Sequence, residues 1–226
     1  MFPTIKITDP DDWQECDRAV EYLNSFDGII FTSRNSVEKF IARINFKNIP
    51  LSALSSTLLF AVGEKTKSIL EKHKLKTNAI PENFTAESLV ETIKTFSVQN
   101  KKFLFPRGNL GRDVVIDKLS EYGAEVKSVV VYKTEKAIPD NLHSIEKELL
   151  EGKIDVVTFT SPSTVTNFFS LFSEDTKSQF IKNIIFAVIG EVTAKSLRKF
   201  GIEPTIIAKP STNKGIVEGI ERYCPV

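Results

Sequence analysis

Short apolar runs rich in Ile, Val and Phe alternate along this chain with stretches whose apolar residues recur at helical spacing. Such runs, bounded by turn formers, read as strands buried on both faces, and the alternation predicts a parallel sheet covered by helices. Strands are expected at GIIFT (28–32), LLFAV (58–62), TNAI (77–80), KFLF (102–105) and VKSVVVY (126–132), then again at DVVTFT (155–160), IIFAVI (184–189) and PTIIA (204–208). In TDPDDWQECDRAVEYL (8–23), Asp9 reads as a helix cap and Pro10 as the first helical residue, with Trp13, Cys16, Val20 and Leu23 on one face. The stretch GRDVVIDKLSEYGAEV reads as a helix that stops at Gly123.

The pattern also repeats at long range, which bears on the whole architecture. AVGEKTKSIL (61–70) answers AVIGEVTAKSL (187–197), and upstream GIIFTSRNSVEKFI (28–41) aligns without a gap on VVTFTSPSTVTNFF (156–169). Downstream, NAIPENFTAESLVETI answers IIAKPSTNKGIVEGI. The expected fold is therefore α/β, with two related doubly wound parallel-sheet lobes. The strand-helix-strand stretch from Lys101 to Tyr132 has no second copy, while FPTIKIT (2–8) resembles VVVYKTE (129–135). The chain is thus read as an inserted lobe at 10–128, paired connector strands at 1–9 and 129–136, and a second lobe at 137–226 that lacks its N-terminal strand-helix unit. An active-site cleft is expected between the lobes.

Composition narrows the function. With 226 residues, 41% hydrophobic and 26% charged, the chain is ordinary globular material, and a net charge of +1 gives no footprint for nucleic acid. No apolar stretch has membrane-spanning length and the N-terminus lacks a signal-peptide pattern, so a cytoplasmic location is expected. Cys16 and Cys224 lack CxxC spacing; Cys16 reads as core and Cys224 as a tail thiol. His73 and His143 lie in polar surroundings and read as solvated surface. The chain has neither a phosphate loop nor GxGxxG, HExxH or GxSxG, which argues against nucleotide binding, zinc hydrolysis and the common acyl-transfer triad.

Candidate chemistry sits at the strand ends, where helix N-termini present unpaired N–H groups and attract anions. FTS ends two strands, bringing Thr32 and Ser33, and Ser161 with Ser163 just beyond; GEKT and GEVT bring Gly63 with Thr66 and Gly190 with Thr193. PRG ends another strand with Arg107 and Gly108. Ser and Thr also cap helices and Gly makes turns whether or not a ligand comes. Their duplication is what points to a ligand bearing many carboxylates. Tyr132 lies in the connector, where a strand tyrosine serves either packing or the cleft.

Taken in order, FTSRNSV, AVGEKT, TAESLV, LFPRGNLGRD, YGAEV, VVYKT, FTSPSTV and VIGEVT resemble the uroporphyrinogen-III synthase family over nearly all of residues 2–220. The resemblance implies a two-lobed lyase that closes hydroxymethylbilane, an octacarboxylate, into uroporphyrinogen III. Water is lost and ring D is inverted through a spiro intermediate, with no metal or organic cofactor. It implies that Tyr132 assists departure of the hydroxyl group and that the strand-end residues bind substrate. It also implies hydroxymethylbilane as the small-molecule partner, received from hydroxymethylbilane synthase, with no nucleic acid or membrane. A monomer is expected unless the missing N-terminal unit drives pairing. The family usually begins with a strand and helix ahead of the connector, and Arg34 stands where a small residue or proline is commoner. A non-catalytic two-lobed anion-binding or tetrapyrrole-binding module is the alternative, and a generic sugar or nucleotide enzyme is disfavoured by the absent phosphate loop.

Overall fold

The fold is described from a computed structural model that covers residues 2–111 and 113–224. The chain divides into two compact units, Ile7–Glu135 and a flanking unit made of Met1–Lys6 with Lys136–Val226. In chain order the first stretch runs β1 (Ile5–Thr8), α1 (Gln14–Glu21), β2 (Gly28–Phe31), α2 (Arg34–Phe46), β3 (Leu58–Ala61) and α3 (Glu64–Lys72). It continues with α4 (Ala86–Lys94), β4 (Lys102–Gly108), α5 (Val114–Glu121) and β5 (Glu125–Lys136). Then come α6 (Leu142–Leu150), β6 (Val156–Phe159), α7 (Pro162–Phe169), α8 (Glu174–Phe180), β7 (Ile185–Val188), α9 (Glu191–Arg198), β8 (Ile206–Ile207) and α10 (Asn213–Tyr223). Among the described residues one sheet has the order β1-β5-β4-β2-β3 and the other β6-β7-β8.

Within the Ile7–Glu135 unit, β5, β4, β2 and β3 pair in parallel. Alternate residues of each strand feed opposite faces, as a two-residue period requires. Ile29, Phe31, Leu59, Ala61 and Leu104 join the cluster under α1, α2 and α3, whereas Ile30, Phe60, Phe103 and Phe105 join the one under α4 and α5. Because both faces are covered, β2 is buried along its whole length. Burying each such Ile or Phe is worth roughly 1.5–3 kcal/mol. In the flanking unit Phe186 and Val188 face one cluster, while Ala187 packs with Ile206 and Ile216 in the other. The first of these is dense in aromatics: Phe159 stacks on Phe186 at 6.2 Å and Phe168 meets Phe172 edge-on at 5.1 Å.

The sequence repeat reappears in the strand register. Gly28 pairs with Leu58 as its aligned partner Val156 pairs with Ile185, one position beyond the Ile184 that the match of FAV to FAV sets opposite Leu58, so the extra residue of AVIGE is absorbed before the shared Gly-Glu. Val62 N–H donates to Phe31 O at 3.0 Å, and its counterpart Ile189 N–H donates to Phe159 O at 2.9 Å. Asn78 N–H reaches Leu59 O at 2.8 Å, as Thr205 N–H reaches Phe186 O at 2.9 Å.

Two local expectations differ from the structure. The TNAI segment contributes only a bridge between Phe60 and Ala79. Its Asn78 side chain accepts Leu59 N–H at 2.8 Å in place of a backbone carbonyl, and Pro81, which lacks an N–H, follows. Helix α1 begins at Gln14 rather than near Asp9: Asp12 accepts Gln14 N–H at 2.8 Å, while Asp9 is drawn away to Lys39 at 2.6 Å. The expected apolar face survives, with Cys16, Val20 and Leu23 buried and Trp13 packed beside them. Helix α5 stops as read: Gly123 has φ +80, and Ala124 N–H and Gly123 N–H return to Leu119 O and Ser120 O at 3.0 and 2.9 Å.

Candidate active site

Each unit presents a row of helix N-termini beyond the carboxyl ends of its parallel strands. In the Ile7–Glu135 unit, β2 leads through half-buried Thr32 to Ser33, whose extended backbone and side chain cap α2 by accepting Ser36 N–H at 3.1 Å. Strand β3 leads to Gly63 at the N-cap of α3, where Thr66 N–H and Lys67 N–H both donate to Gly63 O at 3.0 Å. The flanking unit repeats this. Ser161 caps α7 in a reciprocal capping box with Thr164 and shares a hydrogen bond of 3.0 Å with exposed Ser163. Gly190 caps α9 and accepts Thr193 N–H at 3.1 Å. The first N–H groups of a helix have no partner within it, so each row is receptive to anions.

Gly190 lies close to Ser211, whose Oγ a Cβ at 190 would meet at 2.8 Å unless the exposed serine turned aside. Thr66 and Thr193 are 6% and 2% exposed. Each is the third residue of its helix and so stands in the first turn, beside the receptive N-terminus.

Tyr132, Gly108 and Ser33 are brought together within one unit. In the β4–β5 ladder Gly108 pairs with Tyr132 just past a shift in register. The Tyr132 ring lies directly over Gly108, where a Cβ would fall 2.5 Å from Cζ. Tyr132 Oη and Ser33 Oγ are 3.2 Å apart, so the phenol sits at the N-terminus of α2. Either oxygen can donate in that pair, which leaves the phenol proton available to an acceptor on a ligand.

Arg107 is placed differently from a side chain reaching out for substrate. It is 8% exposed, pairs with the Asp113 carboxylate and donates to Gly111 O, and so braces the loop after β4. Arg112 lies outside the described residues.

Sequence reasoning passed over several residues at these ends. Thr85 caps α4 by accepting Ser88 N–H at 3.1 Å, and Thr212 caps α10 by accepting Gly215 N–H at 3.0 Å. The third pair of aligned segments contained both, with Thr just before a helix as the available signal. Ser211 against Gly190 had no local signal, because the contact joins separate strand ends. Among the described residues no helix is long and apolar enough to cross a membrane.

Repeated parallel strand ends, hydroxyl-capped helix N-termini and a phenol beside one of them define an α/β protein whose strand ends are chemically suited to an anionic ligand. A family profile described as "Uroporphyrinogen-III synthase HemD" matches residues 1–218. The chain is 33% identical over 227 residues to a uroporphyrinogen-III synthase of Chlorobaculum parvum, covering 98% of this chain and 89% of the relative. It is 30% identical over 228 residues to the uroporphyrinogen-III synthase of Synechococcus elongatus, covering 98% and 84%. Its fold is similar to the crystal structure of uroporphyrinogen-III synthetase from Helicobacter pylori, with TM-score 0.68, 22% identity and coverage of 98% and 91%. A mutant uroporphyrinogen III synthase from Thermus thermophilus gives TM-score 0.62, 19% identity and coverage of 98% and 87%. The chain belongs to the uroporphyrinogen-III synthase family. That membership favours the enzyme over a non-catalytic binding module.

Proposed function

We propose that this chain is a hydro-lyase that converts hydroxymethylbilane to uroporphyrinogen III in the cytoplasm, with loss of one water and inversion of ring D. The reading rests above all on the repeat of hydroxyl-capped helix N-termini at the same register in both units, which suits a substrate with many carboxylates. Thr32, Ser33, Gly63 and Thr66 of one unit, and Ser161, Ser163, Gly190 and Thr193 of the other, bind acidic side arms. Arg107 serves through the loop it braces, and Gly108 by admitting the Tyr132 ring.

Tyr132 is the proposed catalytic residue. Its hydroxyl hydrogen-bonds the departing hydroxyl of the substrate while the pyrrole nitrogens push that group out, and the bond to Ser33 holds the phenol in place. The remaining work is positioning: attack on the substituted carbon of the far ring requires a folded linear chain, and orientation is where the protein contributes most. No resident metal or organic cofactor enters the scheme. The paired strands β1 and β5 serve as the connector between two lobes, and the substrate is taken up as a small molecule from hydroxymethylbilane synthase by a monomer.

The test supplies hydroxymethylbilane made in situ, oxidises the products and separates the uroporphyrin isomers. An excess of type III over the spontaneous type I isomer is expected; type I alone would overturn the reading.

A further inference from the structure

The strand ends of the two units match in backbone but not in charge. An open surface hollow of about 380 Å³ at the starts of α2 and α3 is lined by Arg34, Asn35, Lys65 and Thr66. Arg34 is the first residue of the 13-residue α2, and Lys65 is the second of the 9-residue α3. Two helix N-termini and two cationic side chains therefore meet one hollow, and the 6%-exposed Thr66 also lines it. The acidic groups nearby do not neutralise the pair. Glu38 stands 4.0 Å from Arg34 Nε in an exposed i,i+4 contact, and Glu64 is 3.6 Å from Lys67. In the flanking unit the aligned positions are Pro162, Ser163, Val192 and Thr193. The buried threonine is retained there, and both cations are replaced by uncharged residues, with Val192 72% exposed.

We propose that Arg34 and Lys65, together with the Thr66 hydroxyl, form an ionic clamp for a carboxylate arm of the tetrapyrrole, whereas the matching site of the flanking unit uses neutral donors alone. The clamp rests on the synthase reading for the identity of its ligand. It makes Arg34 and Lys65 specificity-determining residues: they give the two otherwise similar sites different preferences, so that the substrate binds in one direction along the repeat. Ionic contacts at a partly open site are screened by salt, while backbone and hydroxyl contacts are much less so.

The experiment titrates the purified protein with uroporphyrin, a stable octacarboxylate, by fluorescence at ~50 and ~500 mM salt, a range over which the screening length falls severalfold. Wild type is compared with R34Q/K65Q and with K72Q/K76Q, which removes the same charge from the last residue of α3 and the segment that follows it. For R34Q/K65Q the affinity at low salt is expected to drop on the order of tenfold, about 1.4 kcal/mol, with most of the salt dependence lost. K72Q/K76Q is expected to keep both, and the charge-retaining R34K/K65R is expected to recover most of the affinity. Equal affinity and equal salt dependence in R34Q/K65Q and K72Q/K76Q would overturn the clamp, as would displacement of uroporphyrin by an equal concentration of inorganic phosphate. Because the titration needs no turnover, a wild-type protein that yields only the type I isomer would remove the synthase reading and still leave the clamp decided.

Discussion

Replacing Gly108 by alanine puts a methyl group where the Tyr132 ring lies. The new Cβ would fall 2.5 Å from Cζ, 2.6 Å from Cε2 and 2.8 Å from the hydroxyl oxygen. Non-bonded carbons settle at about 3.5–4.0 Å, so the ring has to retreat by roughly 1 Å. The backbone cannot take up that movement easily, since Gly108 and Tyr132 are ladder partners and Asn109 N–H donates to Tyr132 O at 3.2 Å. The ring therefore turns, and the 3.2 Å contact of its hydroxyl with Ser33 is lost. Overpacking of this kind costs about 1–3 kcal/mol, offset by about 0.4–1 kcal/mol because alanine restricts the unfolded chain. A net loss of ~1–2 kcal/mol corresponds to a Tm lowered by about 2–8 °C for a chain of this size. Calorimetry on Gly108→Ala, Tyr132→Ala and the double variant checks the cause: the alanine at 108 should cost little once the ring is gone, giving a coupling of about 1–3 kcal/mol. An equal loss of Tm in both backgrounds would refute the steric argument.

Tyr132→Phe keeps the ring over Gly108 and removes only the hydroxyl, so turnover should slow severalfold while Tm changes little; wild-type kinetics would take Tyr132 out of the mechanism. Asp17 accepts two bonds from Arg43, at 2.5 and 2.7 Å, and the Arg43 guanidinium holds its carboxyl below the usual range despite partial burial. Because the folded-state value is depressed, this stabilisation is present above the unfolded value near pH ~3.9 and is lost as pH falls through the folded one. Asp17→Asn should then cost about 1–3 kcal/mol at neutral pH, with the Tm difference from wild type closing in acid; a difference that persists there would contradict the assignment. Burial, with a smaller contribution from Asp17, pushes the Cys16 thiol up to about 12, while Cys224 is exposed. Maleimide should label Cys224 alone in the native protein and Cys16 only after unfolding, and native labelling at Cys16 would count against the packing of α1 under the sheet.

Much of the fold was legible because the repeat and the strand signal reinforce each other. The runs around Ile29 and Phe186 are apolar on both faces, as a doubly covered sheet requires, and their repeat marked the equivalent strands, although the register of β7 is one residue from the match of FAV to FAV. The misses came where side chains took over backbone roles: Asn78 substitutes for a strand bond, and Asp12 moves the start of α1 away from Asp9. At the candidate site, Ser33 and Ser161 were readable as caps from local sequence alone. The approach of Tyr132 to Gly108 and the inward turn of Arg107 depend on how β4 and β5 pair, which spacing along the chain does not encode. Arg34 stands out in its motif by sequence alone, but its nearness to Lys65 depends on how α2 and α3 lie at the strand ends.

The claim that both strand-end rows hold the tetrapyrrole is tested most directly by amide hydrogen exchange with and without saturating uroporphyrin. Protection is predicted at the starts of α2 and α3 (Ser33 to Ser36 and Gly63 to Thr66) and at those of α7 and α9 (Ser161 to Thr164 and Gly190 to Thr193), with the Leu54 to Thr57 turn at the opposite end of the sheet unchanged. Protection confined to one unit, or equally strong at Leu54 to Thr57, would contradict it.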